Sequence, residues 1–319
     1  MIRHGRVVGI LFAAIILSIP AGLKADFSVF RAPSHIISLF ALPGETIPFD
    51  FASYSGTTPD RLEHFRIETS EGVGLEYDGA ARFLLTAPQE SGIYPVRFQE
   101  ILENPALPEP EAYRVQVVVM RPAEEAVDGL LDGYPVGVYP RDDRQEPWSF
   151  QQPRGFVEIT RENRHTLITD HLTLADMECK LEAEFPRYAS IHTSLLIKLE
   201  GIADELLQRG LPGDHIKILS AFRTPEYNRS IGNRTRFSRH IVGDAADIFV
   251  DADGDGRMDD LTGDGRVNRH DSRLLLAIVD EMDNSEAYAG LAGGASAYRG
   301  NGSRGPFLHV DTRGYLTRW

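Results

Sequence analysis

Residues 238–250 read Ser-Arg-His-Ile-Val-Gly-Asp-Ala-Ala-Asp-Ile-Phe-Val. His240 stands just before an apolar run, and Asp247 lies inside it. The piece from Ala246 to Val250 has the length and composition of a short buried strand. Working upstream, Ile216 to Ser220 is another short apolar strand, and it leads into Ala221-Phe222-Arg223-Thr224-Pro225. Downstream, Phe307 to Arg313 forms a third strand that carries His309 and Asp311. Two imidazoles and a carboxylate with one position left open make a standard catalytic zinc set. On spacing alone, His240, Asp247 and His309 fit scattered surface positions of an acidic protein as well as they fit a metal site.

The wording of these segments adds to that reading. Ser238-x-His240-x-x-Gly243-x-Ala245-x-Asp247 resembles the SxHxxGxAxD signature of the zinc D-alanyl-D-alanine carboxypeptidases and murein endopeptidases. That superfamily in turn resembles the VanX-type dipeptidases and the hedgehog signalling domain. Ser220 to Pro225 is similar to the family's SGYR[ST]P turn, Phe307 to Asp311 to its FVHVD strand, and Arg318-Trp319 to the usual end of the murein endopeptidase branch. The resemblance covers roughly Leu172 to Trp319. It implies a small α+β zinc peptidase domain with a central antiparallel sheet over 171–319, with Zn2+ held by His240, Asp247 and His309. It also implies hydrolysis of peptide bonds involving D-amino acids in peptidoglycan or its stem peptides, by carboxypeptidase or endopeptidase action. The small residues Gly243 and Ala245 suit a turn that closes tightly around one ion. Arg223 is expected to hold a substrate carboxylate or the developing oxyanion, with a structural salt bridge as the alternative.

One departure bears on mechanism. Many relatives place a catalytic acid a few residues before the third ligand, whereas residues 287–308 contain no carboxylate. Zinc hydrolysis needs a group to take the proton of water. The expectation falls on Asp311, because positions 309 and 311 of a strand point to one face. Asp311 could instead orient His309, and Asp244 is a weaker candidate for the base. The missing acid keeps a second class open, a non-catalytic, metal-stabilised envelope binding protein on the same scaffold.

Between the second and third ligands lies an acidic insert, 251–271. Its first unit offers Asp251, Asp253, Asp255 and Asp259, with a turn glycine at Gly256. In the second unit Asp260, Thr262, Asp264, the carbonyl of Arg266, Asn268 and Asp271 fall at positions 1, 3, 5, 7, 9 and 12 of an EF-hand loop, with Gly265 at position 6. Asp at position 12 and the apolar helix around 274–279 make the second unit resemble a dockerin-type loop. Structural Ca2+ that stiffens the site is the expectation, and a solvated acidic loop is the alternative.

The rest of the chain frames this domain. Arg3 and Arg6, the apolar run Val7 to Leu17 and the small residues after it read as a signal peptide over 1–25, with an uncleaved anchor as the alternative. Export to a bacterial periplasm or cell envelope is therefore expected, and a single cysteine, Cys179, suits that compartment. Residues 26–122 carry candidate strands at 47–51, 64–68, 94–98 and 113–119, which read as an Ig-like β-sandwich serving as an accessory module, with an envelope protein as one candidate partner. Residues 123–170, rich in Pro, Gly and charge, read as a connector with a few strands. A helix is expected from the stripe Ile191, Leu195, Leu199, Ile202 and Leu206, ending near Gly210. Lys plus Arg is 33 against 47 for Asp plus Glu, a net charge of −14, which argues against nucleic acid as a partner.

Overall fold

A computed structural model of the chain describes residues 34–79, 81–102, 112–141, 150–301 and 303–319. The expected signal peptide, 1–25, lies outside the described residues. The fold is α+β and separates into two compact units that divide at Met120 and Arg121. No helix among the described residues is long and apolar enough to cross a membrane.

The first unit holds β1 (Ile36–Ala41), β2 (Thr46–Asp50), α1 (Phe51–Ser55), β3 (Phe65–Thr69), β4 (Gly74–Gly79), β5 (Arg82–Thr86), β6 (Gly92–Glu100) and β7 (Tyr113–Val119). They form two sheets, in the orders β1-β7-β6-β3 and β2-β5-β4, with β1 parallel to β7. Aromatic rings join the sheets: Phe98 of β6 stacks on Phe51 at 4.2 Å and meets Phe83 of β5 at 5.4 Å. The strand expected to run through Phe51 stops at Asp50. The Asp50 carboxylate accepts the Ser53 N–H at 2.9 Å and caps α1 instead, since that side chain satisfies a donor a strand would have left free.

The second unit begins with β8 (Arg121–Pro122), β9 (Gly155–Ile159), α2 (Leu174–Met177) and β10 (Arg187–Ala189). Strand β9 pairs antiparallel with both β8 and β10. The stretch read as a connector thus contributes a central strand, and Phe156, Val157, Ile159 and Ile168 are buried in the unit's core.

The remaining elements are α3 (Thr193–Gln208), β11 (Ile216–Ser220), α4 (Pro225–Ser230), β12 (Ala245–Val250), α5 (Arg269–Asp283), β13 (Gly294–Tyr298), β14 (Phe307–Asp311) and β15 (Thr317–Arg318). They build one five-stranded sheet in the order β11-β12-β14-β13-β15. Every pairing in it is antiparallel except β13 with β15. All six residues of β12 are buried, so this strand is the middle of the core.

Helices α3 and α5 are tied to the sheet by charge as well as by apolar packing. Lys198 lies on the apolar face of α3, three residues after Leu195 and four before Ile202, and is 1% exposed. Its ammonium donates to Asp283 Oδ1 at 2.8 Å and to the carbonyls of Leu291 and Asp311 at 3.1 Å each. All three donors are satisfied, which is the condition for burying an ammonium group. Arg318 reaches the other oxygen of Asp283 at 2.8 Å. Removing one member of a buried ion pair costs roughly 3–5 kcal/mol. Because Arg318 still faces Asp283, Lys198→Met is expected to lower the unfolding free energy by about 3 kcal/mol, the low end of that range. Urea unfolding of the full chain reads the change. A loss below about 1 kcal/mol, the scale of an exposed pair, would refute the anchoring role.

Candidate metal centre

Strands β12 and β14 pair with Asp247 directly opposite His309. Directly opposed residues of an antiparallel pair share a face, so this register alone brings a carboxylate and an imidazole together. His240 arrives from the short 3-10 turn 239–241, whose carbonyl at His240 accepts the Arg223 N–H at 3.1 Å. Gly243 closes the turn between the two ligand positions at φ +85°. A methyl group there would fall 2.0 Å from the Ser190 carbonyl oxygen. The Ser190 hydroxyl and the His192 N–H also bond this turn, to the carbonyls of Val242 and Gly243. Glycine is required there on both counts, backbone conformation and space.

The donor atoms converge. His240 Nε2 lies 3.1 Å from His309 Nδ1 and 3.2 Å from Asp247 Oδ1, and His309 Nδ1 lies 2.9 Å from Asp247 Oδ1. All three side chains are buried. The opposite edge of each imidazole is occupied. His240 Nδ1 meets the Ala221 carbonyl at 2.7 Å, and His309 Nε2 meets Asp311 Oδ2 at 3.3 Å. A proton on each of those outer nitrogens leaves an inward lone pair on each ring, next to an anionic oxygen. Two lone pairs and a carboxylate gathered in a buried space repel one another without a cation. The N2O donor set fits zinc.

The electrostatics follow from this crowding. Burial is the largest influence on His240 and holds its pKa below the usual histidine value. Burial also opposes the charge on Asp247, but His240 and His309 outweigh it and keep this carboxyl well below its usual range. For His309 burial again opposes the charged form, yet hydrogen bonds to Asp247 and Asp311 prevail and its pKa is pushed up to about 9.

Arg223 is buried and pairs through Nη2 with Asp247 Oδ2, while its Nε donates to Ser220 Oγ at 2.8 Å. It therefore holds the ligand carboxylate, and its Nη1 keeps no hydrogen-bond partner. Asp311 does not stand where a base would. It is fully buried on the far side of the His309 ring, and it accepts from Arg313 Nε at 2.9 Å and from the Gly294 N–H at 2.8 Å. Strand alternation does place it on the face of His309, but Arg313 and Gly294 claim its oxygens. Burial would raise its pKa, yet His309 and Arg313 hold it far below the usual range, which leaves it little affinity for a proton. Asp311 is a positioning residue for His309. Asp244 is likewise committed, to Arg239 at 3.0 Å through Nε.

Two neighbours of the centre were not legible in the sequence. Lys180 stands at the surface within electrostatic reach of Arg223 and Asp247. Trp319 sets its ring 5.3 Å from that of His309 and donates through Nε1 to the Tyr298 hydroxyl at 2.7 Å. Cys179, next to Lys180, is buried, and its sulfur accepts the Thr224 N–H at 3.4 Å.

In the acidic insert the structure gathers carboxylate oxygens of Asp251, Asp253 and Asp255 within 4.8 Å of one another. Asp251 accepts the N–H groups of Gly254 and Gly256, and Asp259 that of Ala252. The second unit repeats the turn. Asp260 accepts from Gly263, Asp264 and Gly265, and Asp264 accepts the Arg266 N–H. Thr262 donates to Asp271, while Asn268 and Asp271 form the capping box of α5. Both units therefore close as turns around an aspartate at position 1, and the carboxylates of the second are not drawn into one cluster.

Residues 170–262 match the family model described as Peptidase M15. This supports the zinc D-alanyl-D-alanine carboxypeptidase superfamily for the region that holds Arg223, His240 and Asp247. No curated protein and no solved structure matches the chain.

The raised pKa of His309 gives the metal-free protein a defined pH dependence. Its stabilising contribution is complete below about pH 6.5 and is lost as pH rises through about 9. Metal binding needs that proton removed, so ion-dependent stabilisation grows over the same interval. Melting curves with zinc and with chelator are expected to diverge from pH 6 to pH 9. A gap that stays constant or narrows over that interval would refute the assignment of His309.

Proposed function

We propose, on the Peptidase M15 match and the geometry above, that this protein is an exported zinc metallopeptidase. Its substrate class is the peptide bonds involving D-amino acids in peptidoglycan, cut by carboxypeptidase or endopeptidase action. The observation that carries the reading is the opposition of Asp247 and His309 across β12 and β14, with His240 Nε2 turned to the same point.

His240, Asp247 and His309 would hold the ion. A zinc ion bound by such a set supplies Lewis-acid activation of water and polarisation of the scissile carbonyl. Each remaining role belongs to a side chain. Ala221 and Asp311 fix the two imidazole orientations, and Arg223 fixes the carboxylate. The uncommitted Nη1 of Arg223 donates to the charge that develops on the carbonyl oxygen or to a terminal carboxylate of the substrate. The amino-terminal β unit, read as Ig-like, would place the enzyme on the wall or on an envelope protein.

The rival reading, a metal-stabilised binding protein without turnover, is favoured by one observation: Asp311 and Asp244 are both bound to arginine. Isolated sacculi separate the two. Incubation with the zinc-loaded protein is expected to release soluble peptide fragments, and chelation or His240→Ala to reduce release by at least a hundredfold. Stoichiometric zinc without fragments would leave the binding reading.

The acidic insert is read as a structural calcium site next to this centre. Elemental analysis of the purified protein is expected to find zinc and calcium together. Asp251→Asn with Asp260→Asn should lose the calcium and keep the zinc, and His240→Ala should do the reverse. Loss of neither calcium nor stability in the double variant would leave a solvated loop.

A further inference from the structure

A pocket of about 630 Å³ lies on the second unit beside the metal centre, walled by α4, the segment 138–140 and the loop 233–236. Two connections tie it to the chemistry. Ile241 in its wall directly follows His240, and Pro225 lies two residues beyond Arg223. The Arg223 N–H bonded to the His240 carbonyl joins those two walls.

The lining is cationic, in a chain whose net charge is −14. Arg229, Arg234 and Arg236 all contribute, and among the described residues no carboxylate does. None of the three is in an ion pair among the described residues. Arg236 donates weakly to the Arg141 carbonyl at 3.4 Å and lies over the Phe237 ring. The floor is apolar, with Ile241 packed against Tyr139 and Phe237. An inorganic anion would answer the guanidinium groups but leaves the apolar floor bare. A peptide bearing a carboxylate offers both a charge for the arginines and apolar surface for the floor.

We propose that this pocket is a binding subsite for an acidic residue of a peptide, with Arg229, Arg234 and Arg236 receiving its carboxylate. The peptide nature of the ligand rests on the peptidase reading, whereas the preference for a carboxylate rests on the pocket alone. Guanidinium groups bind carboxylates through paired charge-assisted hydrogen bonds. The subsite would therefore select acidic over amidated peptides.

Calorimetric titration of the full chain with the tripeptide Ala-D-Glu-Lys and its counterpart Ala-D-Gln-Lys tests this, with chelator present so that binding is read apart from turnover. The acidic peptide is expected to bind about tenfold more tightly, with the advantage shrinking as salt is raised. The combined Arg229→Gln, Arg234→Gln and Arg236→Gln variant should bind both peptides equally. These positions are exposed, so its melting temperature should match that of the native protein. Asn228→Asp, a change of nearly equal shape, should also abolish the preference by adding a like charge. His240→Ala should retain it. Equal affinity of the native protein for the two peptides, or a preference that survives the triple substitution, overturns the proposal. A preserved preference in a protein that releases nothing from sacculi would sink the peptidase reading and leave the subsite standing.

Discussion

The domain is organised around one buried carboxylate. Asp247 sits in β12, a fully buried strand of the sheet, where an unpaired charge would be prohibitively costly. Its neighbours are chosen to make that burial tolerable: Arg223 on one oxygen, and His309 and His240 around the other. Each of these is fixed in turn from behind, by Ser220, by Asp311 and by the Ala221 carbonyl. The tight turn at Gly243, held by Ser190 and His192, is what allows His240 to reach the same point as a residue seven positions later. Geometry suited to an ion thus arises from the way the chain compensates a single anion.

That arrangement needs β14 held in register, and the scaffold behind it supplies the constraint. Lys198 joins α3 to the end of α5 and to the backbone of Asp311, one residue beyond Val310 and two beyond His309. Asp283 is shared between Lys198 and Arg318, so β15 is bound into the same network. Arg313, by gripping Asp311, fixes the side chain that orients His309. A charge network hidden in the apolar layer therefore runs from the helices to the metal-facing imidazole. Fully satisfied networks of this kind fix one arrangement of a core more sharply than apolar packing does.

Much of the centre was legible because its chemistry and its backbone signal coincide. His240, Gly243, Asp247 and His309 are residue types that a tight turn and an N2O site each require, at spacings that strands β12 and β14 impose. Asp311 was legible as a neighbour of His309, with base and orienting partner both open as its role. Strand periodicity states which face a side chain occupies and is silent on what claims its oxygens, here Arg313 and Gly294. Lys198 did carry a signal, a charge at helical spacing inside the stripe of Leu195, Leu199 and Ile202, and its partner Asp283 is eighty-five residues away. Strands β1, β4 and β5 escaped because their burial is set by partners distant in the sequence. The segment around β9 was read as a connector because its composition is that of a loop, while pairing with β8 and β10 supplies what the composition lacks.

Whole-chain charge was the least informative of the sequence measures. A net charge of −14 suggests a molecule that repels anions everywhere. Screening confines exposed charges to about 8–10 Å at physiological salt, so a ligand responds to the groups within that range and to few others. Arg223 and Lys180 stand at the metal centre and the three arginines that end or follow α4 line the pocket reached through Ile241, while seven of the 47 acidic residues are gathered in the insert 251–271. The same sequence therefore presents opposite local fields on one domain.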